Sequence, residues 1–175
     1  MRTINFLNAT QENFKRFGWL ITQPAKQPDI ENEYVKYWDR IVPFNSLMKY
    51  PNLGFLTCKK RSPVCHKMEM LPNMEETYIC LDAEPAVFFV APDTDTNPDM
   101  SKVAVFLLKG SSIVVRRGVW HWSPFPLYRD SNYALLTTDN CVISKEGKVV
   151  VNSKAVLVAE LTEPVTIAKG GTNSP

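Results

Sequence analysis

Short apolar runs separated by polar turns make up most of the chain after residue 18. The runs are rich in β-branched or aromatic residues, and each is bounded by Pro, Gly, Asn or Asp. The pattern predicts strands at 19–22, 55–60, 77–82, 86–91, 103–108, 112–117, 133–138, 148–151 and 154–161. Many short strands at close spacing are typical of a β-sandwich or a closed barrel.

The opening segment has a different period and predicts a short helix. Asn8 or Thr10 is suited to cap it, Phe14 and Phe17 share one face, and Gly18 ends it. Turn residues cluster at 82–85, 92–99, 109–112 and 145–148. No repeat or linker interrupts the pattern, so we predict one domain over residues 1–175 with a frayed tail at 168–175.

Composition excludes several classes of function. A net charge of +2 is too small to argue for nucleic acid or an anionic membrane as a partner. The strongest apolar runs are far shorter than the ~20 residues of a membrane helix, and the first residues lack the core of an export signal. The four cysteines are therefore expected to be reduced thiols in a cytoplasmic protein. The chain contains no C-x-x-C pair, so its cysteines do not indicate a zinc site.

The stretch "DTDTNPD" at 93–99 alternates oxygen-bearing side chains somewhat as a calcium loop does. It lacks the glycine and the later glutamate that complete such a loop. A solvated hairpin turn is the simpler interpretation.

Two other segments carry candidate chemistry. Barrels of the cupin superfamily hold a site with H-x-H followed by E on one hairpin, and P-x-G followed by H on a later one. The first motif falls here on Glu69-Met70-Leu71 and then Glu75 or Glu76. The second falls on the stretch from Arg116 to His121, which keeps the glycine and the histidine and replaces the proline with arginine.

The chain resembles the ureidoglycolate lyase family in four stretches over residues 11–143. They are "QENFKRFGWLI", "HKMEMLPNMEETYICL", "PDMSKVAVFLLKG", and "RRGVWHWSPF" with "LLTTDNCV" beyond it. The resemblance implies an all-β fold, a cupin-type antiparallel β-barrel or jelly roll with a short N-terminal helix. It also implies a homodimer and a place in purine (allantoin) catabolism.

The chain departs from the family pattern at three positions near the expected site. Leu71 stands where the family has histidine, Glu76 where it has glutamine, and Arg116 at a second histidine-like position. The fold therefore carries over better than the reaction does.

The family reaction releases urea from ureidoglycolate and leaves glyoxylate. It needs a base for the carbinol proton, an acid for the departing nitrogen and a partner for the substrate carboxylate. We take Glu76, His121 and Glu69 as the catalytic candidates. Candidate substrate-binding residues are Arg117, Lys109, Tyr78 and Trp120, with Arg116 as a weaker anchor. Arg117 shares strand parity with His121 only if Gly118 does not bulge the strand.

Each candidate also has a structural interpretation. His121 could be a barrel-rim histidine, Glu76 could point outward, and Arg117 could pair with a surface carboxylate. Trp120 and Trp122 suit core or dimer packing better than substrate stacking, and His66 suits a loop. No cofactor is firmly implied. A divalent metal held by Glu69, Glu76 and His121 is an alternative, with manganese or iron favoured over zinc.

Two functional hypotheses follow. The first is a ureidoglycolate lyase-like enzyme acting on a small 2-hydroxy or 2-keto acid derivative. The second is a cupin that binds a small organic anion or sugar acid without catalysis, or with another specificity. The retained Glu69, Arg117 and His121 favour the first, and Leu71 favours the second. A structural dimerisation module has only the aromatic-rich surface in its favour.

Overall fold

The computed structural model describes residues 1–42, 51–138, 141–146 and 148–168. Almost all regular structure within these ranges is β-strand, with one α-helix and one 3₁₀ turn at Met100–Lys102. In chain order the elements are β1 (Arg2–Ile4), β2 (Leu7–Asn8), α1 (Gln11–Phe14), β3 (Gly18–Ile21), β4 (Ile30–Glu31), β5 (Lys36–Tyr37), β6 (Pro51–Cys58), β7 (Val64–Met70), β8 (Glu76–Cys80), β9 (Pro85–Ala91), β10 (Ala104–Lys109), β11 (Ser112–Val115), β12 (Trp120–His121), β13 (Phe125–Pro126), β14 (Ser131–Thr138), β15 (Val142–Lys145), β16 (Lys148–Val151) and β17 (Leu157–Ile167).

Two large sheets organise these strands. The first has the order β1-β17-β7-β12-β9-β10-β2, and β13 also pairs with β9. The second has the order β3-β11-β8-β14-β6. Two separate hairpins, β4-β5 and β15-β16, complete the described strands. Most neighbours are antiparallel, as expected for a jelly roll or cupin-type barrel.

The larger sheet is apolar on both faces because it lies between two cores. Strand β9 reads "PAVFFVA", and six of its seven residues are buried. Phe88 and Val90 point into a core shared with the five-stranded sheet, where they meet Tyr78, Ile113 and Tyr133 among others. The alternate residues Val87, Phe89 and Ala91 join a second core with Trp120, Met68 and Val165 among others. Side chains two apart share a face, so a continuous apolar run is what a doubly covered strand requires.

The N-terminal segment closes both ends of the larger sheet. Strand β1 pairs in parallel with β17, and β2 pairs in parallel with β10. Helix α1 follows, and its start is fixed by a capping box in which Thr10 and Asn13 exchange side-chain and backbone hydrogen bonds. Phe14 and Phe17 are both buried in the first core, as the sequence predicts.

Gly18 is the first residue of β3 rather than a cap one residue past a longer helix, since α1 ends at Phe14. A methyl group there would lie 1.9 Å from the carbonyl oxygen of Val114 on the paired strand. The close approach of two backbones explains why this position is glycine.

The predicted all-β fold with a short N-terminal helix is confirmed. The predicted strands that fall on described residues are present, with shifted bounds. Two strands of the site were not predicted: β7, whose sequence "VCHKMEM" mixes polar and apolar residues, and β12, which has only two residues. Apart from Ala168, the predicted frayed tail lies outside the described residues. No helix within the described ranges has the length and apolarity needed to cross a bilayer.

Candidate active site

Three strands from both large sheets bring Glu69, Glu76 and His121 together. Glu69 is on β7, directly opposite His121 on β12 in the antiparallel register. Glu76 is the first residue of β8 in the other sheet. One nitrogen of His121 and one carboxylate oxygen of each glutamate lie within 4.8 Å of one another. The predicted catalytic residues therefore form one cluster between the sheets.

A hydrogen-bond chain fixes the imidazole of His121. Its Nδ1 lies 2.9 Å from the carbonyl oxygen of Val119, which can only accept, so Nδ1 carries a proton. Its Nε2 lies 2.7 Å from Oε2 of Glu76. A contact this short between two acceptors needs a proton or a cation between them, so the His121–Glu76 pair shares one proton in the absence of a metal.

Burial makes the pair strongly coupled. His121 is 1% exposed. Burial alone would lower its pKa, but the hydrogen bond to Glu76, with the charges of Glu76 and Glu69, outweighs that effect, so the pKa of His121 is raised. Burial also raises the pKa of Glu69, assisted by the charge of Glu76 and opposed by that of His121. Glu69 therefore holds its proton to higher pH than an exposed glutamate does.

A pocket of about 260 Å³ opens onto this cluster. Glu69 and Glu76 line it, whereas His121 lies behind Glu76 and does not. The other lining residues are Asn52, Gly54, Leu71, Leu135, Thr137, Cys141 and Val156. The space is large enough for a small organic molecule and not only for a water molecule. Glu76 points inward, which settles the orientation that the sequence left open.

One wall of the pocket is apolar. Leu71 is buried in a small cluster with Met74, Cys141 and Val156. Burial raises the pKa of the Cys141 thiol, so this cysteine is a neutral wall residue rather than a nucleophile. The sequence pattern does not predict this wall, because Cys141 and Val156 are far in the chain from Leu71 and Met74 and become their neighbours only through the tertiary fold.

The two arginines before the site do not face the pocket. Gly118 adopts a φ of +78° in a turn between β11 and β12, so the strand parity that would align Arg117 with His121 is broken. Arg117 is exposed in this turn. Arg116 lies with its guanidinium 3.8 Å from the ring centre of Trp19 and donates through Nε to the carbonyl of Lys15. It has a packing role and does not anchor a ligand in this pocket.

The other predicted substrate-binding residues also lie outside the pocket lining. Lys109 ends β10 and lines a separate apolar groove of about 910 Å³. Trp120 is fully buried in the second core, and its indole nitrogen donates to Thr94. Tyr78 is buried and donates through its hydroxyl to Oε2 of Glu76, at 2.9 Å. Of the four predicted substrate-binding residues, only Tyr78 contacts the Glu69–Glu76–His121 cluster. It does so through Glu76, from the side of the carboxylate away from the pocket.

The structure also shows where His66 and the acidic stretch 93–99 lie. His66 is exposed on β7, where the sequence suggested a loop. The acidic stretch 93–99 forms the connection from β9 towards β10, in which Asp99 caps the 3₁₀ turn and Thr94 bonds the carbonyl of Asn97. Among described residues, the only metal-competent cluster of His, Cys, Asp and Glu side chains is the Glu69–Glu76–His121 group.

That cluster fits a divalent cation in its donor chemistry. Two carboxylates and one imidazole suit manganese or iron(II) better than zinc. The Nδ1–H bond to Val119 leaves Nε2 as the nitrogen with a lone pair, the usual arrangement behind a metal-binding histidine. Glu69, Glu76 and His121 would then be the three protein ligands.

A search among curated proteins finds no match. One solved structure that the chain resembles is RmlC from Streptococcus suis in complex with dTDP-D-xylose, at 15% identity and a TM-score of 0.41, over 72% of this chain and 65% of that one. The chain thus spans less than two thirds of that structure's length.

The sequence model of one family covers nearly the whole chain, including β7, β8 and β12 with their site residues. It matches residues 1–160 and describes ureidoglycolate lyase. The match confirms the resemblance drawn from the four motif stretches. The chain belongs to the ureidoglycolate lyase family.

Proposed function

We propose that the protein is a carbon–nitrogen lyase that cleaves ureidoglycolate or a close 2-hydroxy acid derivative into urea and a 2-keto acid. The observation that carries the proposal is the pair of carboxylates at the pocket, one backed by His121 and the other with a raised pKa. Elimination needs one base and one acid, and two carboxylates in different environments supply both.

Glu76 is the base in this mechanism. Its carboxylate faces the pocket, and the buried protonated His121 and the Tyr78 hydroxyl both stabilise its negative charge from behind. It takes the proton from the carbinol hydroxyl, the C–O bond becomes a carbonyl, and the C–N bond breaks. The electron pair of that bond leaves with the urea nitrogen.

Glu69 is the acid. Its raised pKa keeps the carboxyl protonated to higher pH, so it has a proton to give to the departing nitrogen. One proton enters Glu76 and one leaves Glu69, so the sum of reactants and products balances. The two carboxyls return to their starting states by exchanging protons with water after product release.

The substrate carboxylate meets an acidic pocket. Among the described lining residues there is no lysine or arginine to pair with it. A divalent ion on Glu69, Glu76 and His121 would supply the missing positive charge, but both glutamates would then be ionised as its ligands, so the acid–base scheme above describes the metal-free site. Without one, the His121–Glu76 pair, which shares one proton and has no net charge, keeps the repulsion lower than two free carboxylates would.

One observation favours the second candidate, a cupin that binds a small organic anion without turning it over. Leu71 gives the pocket an apolar wall, where the family pattern has a histidine that could take part in proton transfer. A homodimer and a cytoplasmic role in purine breakdown remain parts of the proposal.

The deciding experiment measures glyoxylate release from ureidoglycolate by the purified protein, with and without added Mn²⁺. The Glu76→Gln variant should lose at least about 100-fold of the rate. The matched control is Glu84→Gln, which removes another buried carboxylate that bonds Tyr128 and Arg129 instead of the site. Equal rates for Glu76→Gln and the wild type, or no release under either condition, would reject the lyase. Saturable binding of glycolate or oxalate without release would support the second candidate.

A further inference from the structure

Two buried donors converge on a single oxygen of Glu76. The Tyr78 hydroxyl lies 2.9 Å from Oε2, and His121 Nε2 lies 2.7 Å from the same atom. Glu76 is part of the pocket lining, so its carboxylate faces the space in which a ligand would lie. Neither Tyr78 nor His121 lines the pocket, so the carboxylate is held through Oε2 from behind and would present Oε1 to a ligand.

Tyr78 is itself fixed in place. It is 1% exposed, and its ring packs edge-to-face against Phe88, Tyr133 and His121 at centroid distances of 5.9, 6.1 and 6.2 Å. Its hydroxyl carries one hydrogen, which it donates to Glu76.

One donor alone does not define the plane of a carboxylate. The terminal torsion of glutamate is broad and roughly two-fold, so a carboxylate held by His121 alone can pivot about that contact or exchange its two oxygens. A second donor that reaches the same oxygen from another direction removes this freedom. The orientation of the reacting oxygen then depends on the tyrosine hydroxyl.

We propose that Tyr78 is a positioning residue, which acts through Glu76 to present the Oε1 atom to the substrate. This inference rests on the proposed role of Glu76 as the base. Tyr78 contacts no substrate in this arrangement, so it replaces the direct substrate contact that the sequence suggested for this residue.

The test compares Tyr78→Phe with Tyr133→Phe. Both variants remove one hydroxyl from a buried tyrosine of the same core, but the Tyr133 hydroxyl interacts with Ser131 instead of Glu76. We expect Tyr78→Phe to lower kcat for ureidoglycolate about tenfold with KM within about twofold, and Tyr133→Phe to leave both unchanged. Urea midpoints of the two variants should fall by similar amounts.

A second readout needs no turnover. The chain has two histidines, so a His66→Ala background leaves only His121 in the imidazole region of a proton NMR spectrum. The hydrogen-bonded Nε2 proton of His121 should shift in Tyr78→Phe and stay in place in Tyr133→Phe, because only the first variant changes the oxygen it faces.

The outcomes separate the two claims. A wild type that releases no glyoxylate but shows the selective NMR shift would end the proposed function, while supporting the part of the inference in which Tyr78 fixes the Glu76 carboxylate. An active wild type in which Tyr78→Phe retains kcat would overturn the positioning role. So would a His121 resonance that responds equally to both variants.

Discussion

His121 Nε2 and Glu76 Oε2 lie 2.7 Å apart in a site where both residues are buried. The histidine belongs to the larger sheet and the glutamate to the smaller one, so the contact joins the two layers of the barrel. The proton that the pair shares contributes to stability as well as to chemistry.

The first prediction concerns the dependence of stability on pH in metal-free buffer. The folded pKa of His121 is raised above its usual value of 6.5, so the folded state binds this proton more tightly than the unfolded state. The contribution is fully present below about pH 6.5 and is lost as pH rises through the raised pKa. Urea unfolding between pH 5 and 9 should show this decline in the wild type and in His66→Ala, and a smaller one in His121→Gln. A wild-type curve that matches that of His121→Gln would contradict the prediction.

The second prediction concerns Glu69 as the acid. Because burial raises its pKa, the protonated form persists to higher pH, and kcat/KM should fall as pH rises through that raised value. Glu69→Gln should lose about 100-fold in rate and also lose this alkaline limb. The exposed Glu160 on β17 provides the control, since Glu160→Gln should leave the pH profile unchanged. Retention of the limb in Glu69→Gln would assign it to another group.

The third prediction concerns the apolar wall. Leu71 is 3% exposed and packs in a cluster with Met74 and Val156, so Leu71→Ala removes buried apolar contacts and enlarges the pocket. The free energy of unfolding should fall by about 2–4 kcal/mol. Leu81→Ala, at a position that is 52% exposed, should change it by less than about 0.5 kcal/mol. Equal urea midpoints for the two variants would show that the wall is not packed as described.

The fourth prediction concerns the start of β3. Gly18→Ala places a methyl group 1.9 Å from the Val114 carbonyl oxygen, and neither backbone can move without breaking the β3–β11 pairing. We expect a loss of about 1–3 kcal/mol or more in thermal or urea unfolding. At Gly54 the nearest atom to an added methyl would be 3.8 Å away, so Gly54→Ala should be tolerated. Comparable losses at both positions would argue against steric overlap as the cause.

Much of the fold could be predicted from the sequence because its central strands are apolar on both faces. Strands β9 and β10 show this plainly, as do the buried Phe14 and Phe17 that follow the Thr10 cap. Strand β7 was not predicted because its polar residues break the alternation of apolar and polar positions that identifies a half-buried strand. Strand β12 was missed because two residues carry no periodicity.

Part of the site could also be predicted from the sequence. The motif positions predicted that Glu69, Glu76 and His121 share one site, and the structure places them in one cluster. The directions of the Arg117 and Lys109 side chains could not be predicted from the sequence. One depends on the backbone turn at Gly118, and the other on which side of the larger sheet the end of β10 faces. These features are set by tertiary packing, which no local pattern records.

The parallel pairing of β1 with β17 has a consequence for the order of folding. Every other described strand comes between these two in the chain, so their contact closes a loop that contains almost all of the described fold. Contacts of such long sequence separation carry a large loop-closure entropy and form late. During synthesis β1 can find this partner only after all the other strands have left the ribosome, and until then that edge of the larger sheet is open to pairing with other chains.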